Sequence, residues 1–415
     1  MKRTGSAKRG REQVYRQPAG SAQLWKGRIE RLAWGGQGLA READGRLLLL
    51  SAPLALFPGE EVEAEVRWKA RHGEGIVRRW ITPDRARVQP GCAVAERCGG
   101  CDLQGAGGQA AALKLSMVDD LLHRQLPAAP PREWHPAPEG TRRHRIQLHW
   151  DGARLGFHRR GSHEIVEIRT CPAAEACLSE AIPRLQDALQ AGVLPPRPQR
   201  WQLATGTPAG TVWASDEKER TWRLEPDGWM RTEEPLPHQH GQRILRHAPG
   251  GFFQVCAPWA MRAFADVLEA WDLRGEVLYD LYGGVGLFSV LLQGRFQRHI
   301  LVESAAASTA WASRNLEGLD AEIHTAEVSD WLPPSLGAPD DLLLFDPPRT
   351  GLGLELCARL QDAGAGGMVL VGCDGAAFCR DVKALGPAWR LDRLAVLDLF
   401  PLTVHAEFVG LLKKA

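Results

Sequence analysis

Val277-Leu278-Tyr279-Asp280-Leu281-Tyr282-Gly283-Gly284-Val285-Gly286-Leu287-Phe288 is the stretch on which the fold turns. An apolar strand ends in an acid and runs into a loop with three glycines that opens a helix. Glycines permit positive φ and let a ligand come close to the backbone. In a doubly wound sheet, ligands sit beyond the carboxyl ends of the strands. Phosphate and dinucleotide sites use similar glycines. Here, however, a carboxylate at Asp280 would repel a pyrophosphate yet neutralise a cationic amino-acid ligand. Glu303, at the end of the next strand, is placed to accept hydrogen bonds from a ribose diol. The two acids favour S-adenosylmethionine over a nucleotide phosphate. The plain alternative is a tight turn with a surface acid.

The pattern around this loop is strand–helix alternation. Apolar strands at 276–281, 299–303, 342–345 and 368–372, with a helix at 258–271 whose first turn holds Pro258, predict an α/β, doubly wound parallel sheet over residues 246–415. Upstream the pattern is different. Residues 21–83 hold about five short β-type runs punctuated by Gly35-Gly36, Asp44-Gly45 and Pro58-Gly59, which fits an oligonucleotide-binding type of barrel. Residues 84–245 read as a mainly β central unit, with helical spacing at 111–125 and a connector at Pro195-Pro196-Arg197-Pro198. Residues 1–20 have few apolar side chains and read as a disordered basic arm. Three domains in 415 residues is the ordinary number for this length.

With 44% hydrophobic and 24% charged residues, the composition excludes a wholly disordered chain. No apolar run approaches the ~20 residues of a membrane span, and the basic N-terminus lacks the apolar core of a secretory signal. Nine cysteines are too sparse for a disulfide scaffold, so the expected compartment is a reducing cytoplasm, where clustered cysteines suggest metal or catalysis. The net charge of +1 conceals an uneven layout. Residues 1–20 carry six Lys/Arg against Glu12, and residues 141–170 carry seven Arg against three acids, whereas residues 301–350 hold nine acids and two Arg. Basic segments beside an acidic one suggest a polyanionic partner; a solvated face with a loose tail is the alternative.

Three further segments carry chemistry. The strand 342–345 runs into Asp346-Pro347-Pro348-Arg349, where two prolines stiffen the loop and hold Asp346 at the ligand crevice. In amine methyltransferases an aromatic residue follows a related loop, so Arg349 argues against amine methylation. Cys373 follows the strand 368–372, next to a helix start that can lower a thiol pKa. Glu407 lies in largely apolar sequence, which raises a carboxyl pKa and suits a general base or acid. Finally, Cys92, Cys98 and Cys101 form C-x5-C-x2-C, with Cys171 downstream in Thr170-Cys171-Pro172. Four thiolates suit zinc or an iron–sulfur cluster, and the spacing does not choose between them.

Taken together, these segments resemble the RNA uracil-C5 methyltransferases, in the branch with an N-terminal TRAM domain and an iron–sulfur cluster. Gly36-Gln37-Gly38 and Pro58-Gly59-Glu60 match the TRAM barrel. Cys92, Arg97-Cys98-Gly99-Gly100-Cys101, Gly156-Phe157, Ile165-Val166-Glu167-Ile168 and Cys171-Pro172 match the central domain. Phe252-Phe253-Gln254-Val255, Asp346-Pro347-Pro348-Arg349, Cys373 with Arg380-Asp381, and Phe400-Pro401 with His405 and Glu407 match the catalytic domain. The resemblance implies that Cys373 adds to carbon 6 of uracil and that Glu407 removes the carbon 5 proton. It implies that Gln254, Asp280, Tyr282, Gly283, Gly284, Gly286, Glu303 and Asp346 line the cofactor crevice, and that Phe252, Gln254, Asp346 and Arg349 face the target base. It implies that Cys92, Cys98, Cys101 and Cys171 hold a [4Fe–4S] cluster. It also implies action on 23S ribosomal RNA, with transfer RNA the other substrate the family uses; a cytoplasmic monomer is expected.

The sequence departs from the family at several positions. Gly372-Cys373-Asp374-Gly375 replaces the usual Ser-Cys-Asn-Pro, Gly283 replaces a frequent cysteine, and Cys256 replaces an asparagine. Asp374 is expected to raise the pKa of its neighbour, and Gly375 to loosen the loop. These departures leave open a catalytically weakened RNA-binding relative.

Overall fold

A computed structural model of the chain describes residues 22–333, 336–386 and 388–415. The predicted basic arm at 1–20 lies outside the described residues.

The sheet that carries the glycine loop has eight strands. In order across the sheet they are Ala321–Thr325, Phe296–Glu303, Gly275–Leu281, Leu342–Phe345, Gly367–Gly372, Glu407–Lys414, Trp389–Leu397 and Arg132–His135. The first five are mutually parallel, and Glu407–Lys414 runs antiparallel to both its neighbours. The order reverses between Gly275–Leu281 and Leu342–Phe345, which opens the crevice where ligands bind in such sheets. Leu342–Phe345 is buried at every position, as an apolar strand covered on both faces must be. Helices Ala257–Ala270, Leu287–Leu291 and Ala306–Asn315 pack one face, through Phe264, Phe288 and Ala312. Helices Leu354–Leu360, Gly375–Leu385 and Ala110–Gln125 pack the other, through Leu356, Phe378 and Leu121. Arg132–His135 lies within the predicted central unit 84–245, yet it pairs in parallel with Trp389–Leu397 and forms the edge of this sheet.

A seven-stranded antiparallel sheet runs from Ile165–Glu167 through Arg145–Trp150 and Gln199–Thr205 to Gly228–Thr232. Helix Ala176–Gln190 covers it, burying Leu178, Ile182, Leu185 and Leu189 against Trp201 and Leu203. Beside it stands the hairpin Leu236–His240/Arg243–His247. Residues 23–82 form a six-stranded sheet, antiparallel except where Leu47–Ser51 meets His72–Thr82. Its anchor is Glu60, 1% exposed, whose carboxylate accepts from the N–H groups of Phe57 and Asp84, from Trp80 Nε1 and from the Arg87 guanidinium. A buried carboxylate this fully partnered would be costly to strip of any one donor.

The sheet at 23–82 and helix Ala110–Gln125 both rest on residues 398–408. Trp34 stands edge-on to Phe408 with ring centroids 5.4 Å apart. Gly36, at φ +83°, faces Val404 so closely that a Cβ would come within 2.6 Å of its Cγ1. Lys114, 1% exposed, pairs with Asp398 and donates to the Phe400 carbonyl at 2.9 Å.

Candidate active site

The glycine loop is built as its sequence requires. Gly284 and Gly286 sit at φ +54° and +89°. Tyr282, not a glycine, holds φ +63°, a strained choice that the surrounding structure must impose. Gly283 packs so tightly that a Cβ would lie 2.6 Å from Leu301 Cγ and 2.9 Å from the Asp280 carbonyl oxygen. A cysteine at 283 is therefore excluded unless both Leu301 and the Asp280 backbone shift. Asn315 braces the loop from outside: its Nδ2 donates to the Val285 and Arg246 carbonyls, and its Oδ1 accepts from Arg246 N.

Asp280 is fully buried. Its Oδ2 accepts from Ser289 N at 3.0 Å and from Ser289 Oγ at 2.7 Å, while Oδ1 has no partner. Burial pushes its pKa up to about 7, against the Ser289 hydrogen bonds. A buried, half-partnered carboxyl beneath a glycine cradle fits a cationic ligand. Glu303 accepts from Gly284 N at 3.2 Å and from Ala305 N at 2.8 Å. It thus shapes the loop as well as lying where the ribose contact is expected.

Asp346 sits between this crevice and the thiol. Burial pushes its pKa up to about 7, and the Asp280 carboxyl adds to the shift. Burial likewise raises Glu407 well above the usual range, with Asp346 pushing the same way and the Arg349 guanidinium opposing. Glu407 begins the antiparallel strand, one residue before the Gly372–Phe408 pair, so its carboxyl is delivered beside the end of the cysteine-bearing strand. Pro347, Arg349, Gly372, Cys373 and Asp374 line a cavity of about 200 Å³, its open mouth included.

Cys373 is half-buried, and its pKa is pushed up to about 12 by burial, then by Glu407, with Arg349 opposing. This overturns the expectation that the adjacent helix start lowers it: desolvation outweighs the helix end, so the resting group is a thiol. Asp374 also has a structural role. Its Oδ1 accepts from Ala377 N at 2.8 Å and caps helix Gly375–Leu385. Glu407, Arg349 and Asp346 set the electrostatics of Cys373 once burial has acted. Nor is Gly375 loose. A Cβ there would meet Leu121 Cδ2 at 2.6 Å and the Phe408 ring at 2.8 Å.

The structure thus brings Asp346, Arg349, Cys373 and Glu407 into one electrostatic group, continuous through Asp280 with the glycine loop. Asp381 orders the loop after Arg349: it accepts from Leu352 N at 2.7 Å and pairs with Arg380 at 2.7 Å. Phe252 is 68% exposed, with the Arg145 guanidinium 5.6 Å from its ring centroid. Gln254 is half-buried beside it, and the segment is tied to the central sheet by His144 N donating to the Val255 carbonyl at 2.8 Å. Lys114, Asn315 and Asp102 are supporting residues that the sequence reading misses. The signal for Lys114 is its place on the same helical face as Val118 and Leu121, where a solvated lysine would not belong.

The four predicted ligand cysteines line one cavity of about 380 Å³, its mouth included, together with Arg143 and Gly100. Gly100 N donates to Cys98 Sγ at 3.4 Å, and Arg143 Nη2 reaches Cys101 Sγ at 3.9 Å. Among the described residues, no three or more His, Cys, Asp or Glu side chains form a group that could hold a metal ion. No helix among the described residues is long and apolar enough to cross a membrane.

A glycine loop and paired acids at the switch point of a doubly wound sheet, with a thiol and a buried carboxyl at the same edge, define a methyltransferase of the S-adenosylmethionine-dependent class. Comparison with known proteins narrows this. The chain is 31% identical over 423 residues to the 23S rRNA (uracil(1939)-C(5))-methyltransferase RlmD of Pseudomonas aeruginosa, covering 92% of each protein. It is equally 31% identical, over 92% of its length and 91% of the relative's, to an uncharacterized RNA methyltransferase of Streptomyces coelicolor. Its fold matches the Pyrococcus abyssi tRNA (uracil-54, C5)-methyltransferase crystallised with S-adenosyl-L-homocysteine, with a TM-score of 0.71 and 24% identity over 94% of this chain and 100% of that one. No protein-family model matches the chain. The chain belongs to the RNA uracil-C5 methyltransferases.

Proposed function

We propose that the protein methylates carbon 5 of a uridine in 23S ribosomal RNA, through a transient bond between Cys373 and carbon 6 of the ring. The observation that carries this reading is the convergence of a half-buried thiol, a buried carboxyl and an arginine at the edge of the cofactor sheet. Carbon 5 of uracil is a poor nucleophile. Addition of the Cys373 thiolate at carbon 6 turns the ring into an enolate with electron density on carbon 5, and Arg349 supplies positive charge where anionic character builds. S-adenosylmethionine supplies the electrophilic methyl group. Glu407 then takes the carbon 5 proton, the ring double bond re-forms, and the sulfur leaves carbon 6 with the electrons of the broken bond. Cys373 must lose its proton before it adds to the ring, and Arg349, which opposes the upward shift at both Cys373 and Glu407, favours their anionic forms. Asp280 and Asp346 would balance the charge of the cofactor, and Glu303 would meet its ribose. The target must leave its stack to reach a thiol at this depth, and exposed Phe252 is suited to pack beside it.

Cys92, Cys98, Cys101 and Cys171 would hold a [4Fe–4S] cluster, a reading supported by four thiols around one cavity with glycine backbone on one wall. A bound cluster supplies structural cross-linking here, since methyl transfer moves no net electrons. The sheet at residues 23–82 would serve as a TRAM domain. Its order and the Arg46 guanidinium 3.9 Å over Trp68 support this use, because RNA-binding surfaces pair cations with aromatic faces. The test is a map of 5-methyluridine in ribosomal and transfer RNA from cells with and without the gene. Loss of one ribosomal site supports the reading. Loss confined to transfer RNA, or no loss, contradicts it.

A further inference from the structure

We propose that Asp102 is a positioning residue for Glu407, clamping the segment that delivers the base onto the cysteine-bearing loop. The inference rests on the reading of Glu407 as the base. Asp102 follows Cys101 directly. Its Oδ2 accepts from Val404 N at 3.3 Å, and its Oδ1 pairs with Arg160 Nη1. Arg160 Nη2 in turn donates to the Cys101 carbonyl at 3.3 Å, which fixes the ion pair to the cysteine loop. The next residue, Leu103, is 2% exposed, and its N–H donates to the Leu402 carbonyl at 2.9 Å.

What these bonds hold is a segment outside any regular element, tied at its start by Lys114 to Asp398 and the Phe400 carbonyl and by Trp259 Nε1 donating to the Asp398 carbonyl at 2.9 Å, with Asp102 and Leu103 holding its second half. Residues 398–406 belong to no strand or helix. Leu402 sits at φ +64°, a left-handed conformation for a residue with a branched side chain, which persists only where surrounding contacts over-determine it. Within the segment, Thr403 Oγ1 donates to the Phe400 carbonyl at 2.8 Å and accepts from His405 N at 3.2 Å. Val404 lies three residues before Glu407, where the regular strand begins. The amide that Asp102 holds therefore sets the approach of the carboxyl at 407. A proton-removing group must stay within hydrogen-bond reach of the proton it takes, so slack at residue 404 acts on the last step of the reaction and leaves RNA binding alone.

That step gives a readout a merely structural residue would not move. In the proposed sequence the sulfur–carbon 6 bond persists until the carbon 5 proton leaves. A misplaced base therefore accumulates protein covalently joined to methylated RNA on an ordinary uridine substrate. Glu407→Gln sets the reference and is expected to accumulate this adduct on denaturing gels. Asp102→Ala is expected to accumulate the same adduct with kcat at least tenfold lower and an unchanged KM for RNA. Asp102→Asn keeps an acceptor for Val404 N–H and is expected to turn over within about threefold of the native enzyme, with equal iron content in all the proteins. Three results overturn the proposal while Glu407→Gln still forms adduct: Asp102→Ala turning over normally, Asp102→Ala losing iron instead of accumulating adduct, or Asp102→Asn failing as badly as a loss of the acceptor would. If Glu407→Gln forms no adduct, the reading of Glu407 falls first and this proposal with it.

Discussion

Replacing Lys114 with methionine should destabilise the fold more than any surface change, and the structure gives the size. The ammonium is 1% exposed and meets Asp398, which is 6% exposed, and the Phe400 carbonyl. Burial lowers the Lys114 pKa while Asp398 raises it back, so the charge survives because it is paired. Methionine fills most of the volume but leaves the Asp398 carboxylate in an apolar gap. Removing one partner of a buried ion pair costs about 3–5 kcal/mol. Removing both charges as Lys114→Met/Asp398→Asn should recover most of that loss, because a buried pair is worth little against packed neutral groups. Asp398→Asn alone leaves a buried lysine whose folded pKa falls below its unfolded value. The unfolded chain then binds more protons, so the cost should shrink as pH rises above 7. Urea denaturation of the four proteins, followed by tryptophan fluorescence, measures all of this. A Lys114→Met cost under about 1 kcal/mol, or a double variant no better than the single one, would refute the reasoning from buried charge.

Other outcomes follow from the same geometry. Gly375→Ala should cost about 1–3 kcal/mol by overpacking against Leu121 and Phe408, more than the ~1 kcal/mol helix propensity gain, and Leu121→Ala should restore part of it in urea denaturation. Asp280→Asn should flatten the pH dependence of stability. With the folded pKa at about 7, the native state keeps a proton that the unfolded chain releases above about pH 4. Asp280 therefore makes stability fall as pH rises through that window, by up to about 1.4 kcal/mol per unit, and thermal melts from pH 5 to 8 should fall more steeply in the native protein than in the variant, where Asp346 and Glu407 still contribute. Serine at Cys92, Cys98, Cys101 or Cys171 should abolish broad visible absorption in protein purified without oxygen; stoichiometric zinc with no iron in the native protein would contradict the cluster.

The parts of the fold legible in the sequence were those whose signal is local. The glycine loop, the four parallel strands around it and helix Ala257–Ala270 declare themselves by apolar runs, three glycines and an early proline, and each is present within a few residues of its expected bounds. Strand Arg132–His135 does not, because its partner Trp389–Leu397 lies about 260 residues away and three of its own four residues are polar or charged. Helix Ala176–Gln190 carries Pro183 in its interior, which argues against a helix locally and is overruled by the leucine stripe packed on Trp201. At the site, residue types were legible but their energetics were not. Cys373 next to a helix start reads as an activated thiol, yet desolvation decides its pKa, and burial cannot be read from two flanking residues. Asp374 reads only as a charge beside the thiol, and its capping of the helix through Ala377 N is not legible until the fold is seen. Asp102, Lys114 and Asn315 act on residues about 300, 280 and 70 positions away, distances at which sequence spacing carries no signal.

The central claim is that sulfur of Cys373 bonds to the pyrimidine during turnover. Among cysteines outside the four-thiol cavity, Cys256, Cys357 and Cys379 are buried; Cys177, on helix Ala176–Gln190, and Cys373 are half-exposed, and only Cys373 of these two stands at the edge of the cofactor sheet. The most direct measurement uses target RNA carrying 5-fluorouridine, from which no carbon 5 proton can be removed, followed by digestion and mass spectrometry. A stable adduct on the peptide containing Cys373, absent from Cys373→Ala, is the predicted result. No adduct with the native enzyme on RNA that it methylates, or an adduct on another cysteine, would contradict it.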